Sequence, residues 1–203
     1  MASDAQEEEP MTAIAEPEVL GYKVDGYVPR GPLTADDLPE IDLGDLLFEI
    51  QDGALVLMPP PSLWHDAIAD SIRHFLEPQH PHVGAELDLV VGENLRRPDL
   101  LALSISRQEL LRARVAKPTI EMIEVAVEII FHDRSPARDR MSVGRDRETK
   151  FREYAGAGIP EYWIVDEVPD DPEDASVEMY RLKDGAYAQI RVVRLSELLQ
   201  EQA

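Results

Sequence analysis

The residues of this chain best suited to do chemistry are Asp99 in Arg96-Arg97-Pro98-Asp99, Glu124 and Glu128 in the apolar run Ile120 to Phe131, and Lys150 on the helical stretch that follows. An aspartate at a strand start, a glutamate on a later strand and a nearby lysine make a minimal set for metal-dependent phosphodiester hydrolysis. Hard carboxylates hold Mg²⁺ or Mn²⁺, such a cation polarises a phosphate and acidifies a bound water, and an ammonium group offsets the developing negative charge. Glu124 and Glu128 stand four apart, so on a regular strand both face the same way and Glu121 faces the other. Glu128 is preferred as the main ligand. Flanked by Ala126-Val127 and Ile129-Ile130, its carboxylate is costly to bury unless a cation compensates it, and Glu124 is expected as a second ligand or outer partner.

Each of these residues also has a structural reading. Either glutamate could face water from an edge strand, and Asp99 could be satisfied by a turn. Lys150 and Asp146, four apart on a helix, could form an ordinary surface pair worth about 0.3–0.5 kcal/mol.

Elements that would position the set can be read from the pattern. The stretches Leu46 to Ile50 and Ala54 to Met58 flank Asp52-Gly53, a favoured tight turn, and form a hairpin that Pro59-Pro60-Pro61 stops. Thr34-Ala35-Asp36-Asp37 resembles a helix cap. Ser62 caps a helix in which Ile68, Ile72, Phe75 and Leu76 recur at helical spacing down to Glu77. Glu86 to Val91 and Leu100 to Ile105 read as strands joined by a turn around Gly92, and Ile120 to Phe131 as the longest and most buried strand. A helix spans Arg145 to Ala157 and ends at Gly156, Gly158 and Pro160. Strands near Glu161 to Val165, Val177 to Leu182 and Tyr187 to Val193 precede a short helix from Ser196. The order is mixed α/β around a central sheet.

Composition bounds the partners. The 203 residues are 44% hydrophobic, enough for one substantial core, and contain no cysteine, so disulfides and thiolate metal sites are excluded. No apolar run approaches the roughly 18 residues that span a bilayer, and Met1 to Pro10 is acidic where a secretory signal is basic. The expectation is a cytoplasmic protein with no membrane partner.

A net charge of -21 argues at first against nucleic acid, because DNA affinity comes largely from lysine and arginine. The charge is unevenly spread. Residues 1–20 and 166–178 carry 13 acidic and no basic side chains, whereas residues 96–152 hold 13 of the 20 lysines and arginines against nine acidic residues. A basic rim around an acidic centre suits a polyanionic substrate. Residues 1–33, acidic and punctuated by proline, are expected as a flexible arm before a single domain, 34–203.

The chain resembles the family of Uma-type putative restriction endonucleases, a branch of the PD-(D/E)xK nuclease superfamily, over roughly Thr34 to Val193. The resemblance rests on Phe48-Glu49-Ile50-Gln51-Asp52-Gly53-Ala54-Leu55, Met58-Pro59-Pro60-Pro61-Ser62 with His65, Arg97-Pro98-Asp99, Val127-Glu128-Ile129, and Asp146 with Lys150. The most specific block is Tyr154-Ala155-Gly156-Ala157-Gly158-Ile159-Pro160-Glu161-Tyr162-Trp163-Ile164-Val165-Asp166.

The resemblance implies a restriction-endonuclease-like α/β core, a mixed central sheet flanked by helices, and a DNA endonuclease dependent on Mg²⁺ or Mn²⁺. Asp99 and Glu128 would hold the metal and Glu49 would complete its shell; from the residues themselves, Glu124 is expected as a second ligand or outer-shell partner, and Arg96 and Arg97 are candidates for phosphate contacts. Most of the superfamily places the lysine two residues after the glutamate, where this chain has Ile130 (after Glu128) or Ala126 (after Glu124), which points instead to Lys150. Extra residues from Phe131 to about Pro136 read as an insertion, with His132 a loop residue. His65 reads as a capping or packing residue, and Tyr154, Tyr162 and Trp163 as core. Two other classes stay open, a catalytically silent interaction module and an acidic DNA mimic, and a homodimer is possible.

Overall fold

The computed structural model describes residues 18–19, 22–23, 32–36, 46–58, 60–130, 132 and 134–201. Most of the expected arm 1–33 lies outside these residues, apart from a small antiparallel pair, β1 (Glu18–Val19) with β2 (Tyr22–Lys23). The cap expected at Thr34 is followed by one short turn at Ala35-Asp36, and residues 37–45 lie outside the described residues.

Two sheets share the domain. The smaller, in the order β4-β3-β7-β6, begins with the expected hairpin of β3 (Phe48–Gln51) and β4 (Ala54–Leu57). Its turn puts Asp52 and Gly53 both at positive φ, 50° and 77°, the twist that a two-residue hairpin requires. A second hairpin, β6 (Leu89–Val91) and β7 (Asn94–Arg96), turns at Gly92 and joins β3 through Ile50 and Leu95. The turn at Gly92 therefore closes a local hairpin. It does not link residues 86–91 to the strand at 100–105 as expected.

The larger sheet runs β12-β11-β10-β9-β8-β5, where β5 is His82–Ala85, β8 Leu100–Leu103, β9 Ile123–Ile129, β10 Glu161–Glu167, β11 Ala175–Lys183 and β12 Ala186–Arg194. Among the described pairings of this sheet, β9 with β10 is parallel and the others are antiparallel. Strand β9 is shorter than expected, because Ile120–Met122 is a 3₁₀ turn, and β11 and β12 are longer at nine residues each.

Along β9 the side chains of Val125, Val127 and Ile129 join the core beneath α1 (Leu63–Leu76), while Ala126 and Ile130 join the opposite core. The first core is sealed by Ile68, Ile72, Phe75 and Leu76 of α1, whose spacing follows the helix, and Ser62 caps that helix by accepting from the His65 N–H. A helix missed in the sequence, α2 (Arg107–Ala113), carries a capping box between Ser106 and Glu109. Tyr154, Tyr162 and Trp163 are buried, as expected of core residues.

Parallel pairing of β9 with β10 requires a crossover connection, and a continuous helical segment supplies it. This is α3 (Pro136–Gly144), a π-helical turn (Arg145–Lys150) and α4 (Phe151–Ala157), ending at Gly158 with φ 92°. Helix starts at Pro136, inside the stretch read as an insertion loop. The crossover carries Lys150 over the sheet face on which Glu128 lies.

Candidate active site

The site grows from the edge where β8, β9 and the π turn meet. Asp99 sits just before β8 and its Oδ2 accepts a 2.6 Å hydrogen bond from the Ile129 backbone N–H, so the aspartate is fastened beside Glu128. Its other oxygen is 3.2 Å from His65 Nε2. Alternation along β9 turns Glu128 away from α1, where Tyr154 Oη donates to its Oε1 at 2.9 Å and Lys150 Nζ to its Oε2 at 2.9 Å. Asp99, Glu128 and Lys150 line one cleft with His65, Arg145 and Asp146.

Lys150 is 1% exposed and touches three carboxylates, Glu49 at 3.0 Å, Glu128 at 2.9 Å and Asp146 at 3.2 Å. Burial disfavours the ammonium, but these three charges outweigh it and hold the lysine well above its ordinary range. The pairing with Asp146 is real, yet both residues are buried, so it is no surface pair. Burial pushes Glu128 far up, and the carboxylates of Asp146, Asp99 and Glu49 add to the rise against the pull of Lys150. Asp146 is raised for the same first reason.

Glu49 is fully buried, and cations decide its state. Burial raises its pKa, but Lys150, Arg145 and Arg96 together with the Arg97 N–H overcome this and hold it below the carboxylate range. It braces Lys150 and Arg96 from beneath and is not among the residues lining the cleft.

Three more sequence candidates, besides Glu49, are placed differently. Glu124 is the extra residue of a β-bulge, since Ala102 pairs with Val125 and Leu103 with Ile123. The bulge reverses the alternation, so Glu124 leaves the face of Glu128 and its Oε2 lies 2.7 Å from His80 Nδ1. Arg96 is 0% exposed, with its guanidinium bonded to Glu153 at 2.6 and 2.7 Å and to Glu49 at 3.3 Å. No phosphate can reach it there. Arg97 is paired with Asp88 at 2.5 Å.

Other members were missed or underrated. His65, three residues into the capped helix, points at Asp99; burial lowers its pKa, but Asp99, Glu86 and Asp66 raise it to a net increase. Tyr154 and Asp146 stood among the residues that carry the family resemblance but were given no site role, Tyr154 being read as core and Asp146 as a partner of Lys150. Arg145 carried no distinguishing signal. Tyr162 Oη donates to the Asp146 carbonyl at 2.8 Å, anchoring the π turn to β10. His132 stands apart, between Asp139 at 3.0 Å and Asp166 at 2.7 Å.

Does this donor set fit a divalent cation? Among the described residues, no three His, Asp or Glu side chains already enclose one. Mg²⁺, however, is commonly held by one or two carboxylates with water and substrate phosphate filling the rest. Asp99 and Glu128 supply such a pair, of hard oxygen ligands. Burial raises Glu128, and the neighbouring carboxylates, Asp99 among them, add to the rise, which a cation shared by Asp99 and Glu128 would relieve. The residues fit.

Comparison with known proteins agrees with this architecture. A solved structure, titled a putative nuclease belonging to DUF820 from Anabaena variabilis, superposes with a TM-score of 0.50 at 17% identity, covering 83% of this chain and 98% of that one. The shared fold is restriction-endonuclease-like, a mixed sheet flanked by helices. No curated protein matches the chain. The model of the Uma2 family, described as putative restriction endonuclease, matches residues 35–203. This chain belongs to that family.

Proposed function

We propose that the protein is a divalent-metal-dependent endonuclease that hydrolyses DNA phosphodiester bonds. The observation that carries the reading is the convergence on one cleft of Asp99 from the turn into β8, Glu128 from β9 and Lys150 from the crossover helix. Asp99 and Glu128 would hold Mg²⁺ or Mn²⁺. A cation bound there supplies phosphate polarisation and a more acidic water.

The chain's own groups do the rest. The Ile129 N–H and His65 fix Asp99, Tyr154 fixes Glu128, and the π turn delivers an ammonium that stays charged and offsets negative charge at phosphorus. Exposed Arg134, Arg138 and Arg140, around the start of α3, add positive charge on the segment that carries Lys150. One observation favours the silent alternative, a nuclease fold serving as an interaction module: Lys150 is already shared by three carboxylates.

Supercoiled plasmid incubated with Mg²⁺ or Mn²⁺ separates the readings. Nicking that EDTA stops and that Asp99→Asn abolishes is the expected result. A wild-type protein that binds neither cation and cuts no DNA is the silent module.

A further inference from the structure

Two neighbouring residues of the π turn present buried polar atoms that take part in no hydrogen bond among the described residues. Arg145 Nε and Asp146 Oδ1 are both buried and lack hydrogen-bond partners. They face each other at 3.7 Å, beyond a direct hydrogen bond. Glu49 Oε2 is 3.8 Å from the same Nε, and Lys150 Nζ, although 3.2 Å from Asp146 Oδ1, makes an ion pair with it and no aligned hydrogen bond. Both residues line the cleft with Asp99, Glu128 and Lys150.

A polar pair across such a gap calls for a bridging atom. That atom must accept from the Arg145 N–H and donate to the Asp146 carboxylate. A phosphate oxygen cannot donate and a metal ion cannot accept, so the complementary group is a water. We propose that Arg145 and Asp146 seat the attacking water, as a catalytic pair additional to Asp99, Glu128 and Lys150; this rests on the nuclease reading above.

Arg145 Nε orients the water through its oxygen, and Asp146 Oδ1 takes its proton. As the water oxygen bonds to phosphorus, the bond from phosphorus to the leaving nucleoside oxygen breaks, and that oxygen takes a proton from solvent. The carbonyl of Asp146, held by Tyr162, keeps the pair in register with the sheet. The π turn forms the pair locally, and it turns Asp146 and Lys150 inward together.

The test uses Asp146→Asn, Arg145→Met and Arg145→Lys. In single-turnover plasmid cleavage with Mn²⁺, the first two are expected to slow the reaction by about 10²-fold or more. Mn²⁺ affinity by calorimetry and DNA affinity in Ca²⁺ should stay within about threefold of wild type. Arg145→Lys, which restores a donor, should recover part of the rate. Weakened Mn²⁺ binding in Asp146→Asn would make Asp146 a ligand, and weakened DNA binding in Arg145→Met would make Arg145 a phosphate contact; either overturns the assignment.

High-resolution crystals of the wild type give a reading independent of activity. An ordered water within hydrogen-bond reach of both atoms is expected, and its absence overturns the pairing. Wild-type cleavage with unchanged rates in both variants sinks this inference alone, whereas a wild type that cuts nothing removes the nuclease reading and this role with it.

Discussion

Lys150 Nζ lies 2.9 Å from Glu128 Oε2, both side chains being almost wholly buried, so the ammonium and the carboxylate are each the other's main compensation for leaving water. A lysine 22 residues beyond the glutamate in sequence thereby stands beside it in space. The same ammonium serves Glu49 and Asp146, which makes it the electrostatic hub of the domain.

Lys150→Met should therefore destabilise the apo protein by about 3–5 kcal/mol in urea unfolding, because it leaves buried carboxylates without their cation. Saturating Mn²⁺ should recover more stability in this variant than in the wild type. Equal stability of variant and wild type without metal would show that Lys150 is not the hub.

Asp99→Asn keeps the acceptor for the Ile129 N–H, so the fold should persist while the charge that binds a hard cation is lost. Calorimetry should show greatly weakened Mn²⁺ binding, and plasmid nicking should fall by orders of magnitude. Native affinity for Mn²⁺ in this variant would remove Asp99 from the ligand set.

Glu124→Gln should leave both metal affinity and nicking unchanged, since its carboxylate is tied to His80 away from the cleft. Arg96→Met behaves oppositely. By stripping Glu49 and Glu153 of a buried counter-ion it should cost about 3–5 kcal/mol of stability. An Arg96→Met protein as stable as wild type but defective only in DNA binding would restore the phosphate-contact role.

His132 should make stability depend on pH. Burial works against its imidazolium, but Asp166 and Asp139 outweigh this and raise its pKa above the ordinary 6.5. A group raised in this way stabilises the fold fully below its unfolded value and loses that contribution as pH rises through the folded value. Thermal melts of wild type and His132→Gln should differ most below about pH 6.5 and converge as pH rises. Parallel curves across this window would rule the contribution out.

How far could the site be read without the fold? Short-range signals were reliable. Asp52-Gly53 announced its hairpin, Ser62 its helix, and the apolar run around Glu128 its buried strand, because each depends on backbone preference or composition within a few residues. The motif residues Asp99, Glu128 and Lys150 were recognisable by type.

What only the tertiary structure decided is where side chains point once strands pair and helices cross. The bulge at Glu124 breaks a period of two that the sequence pattern continues, since a bulge is set by pairing with β8 and not by local composition. Arg96 reads as a basic rim residue until Glu49 and Glu153, 47 residues before it and 57 after it in the chain, close around its guanidinium. The π turn opposite Tyr162 likewise has no periodic signature, yet it gathers Arg145, Asp146 and Lys150 on one cleft. Residue type and local period are properties of the chain; burial and the choice of ionic partner arise from contacts between distant segments, and so they appear only with the fold.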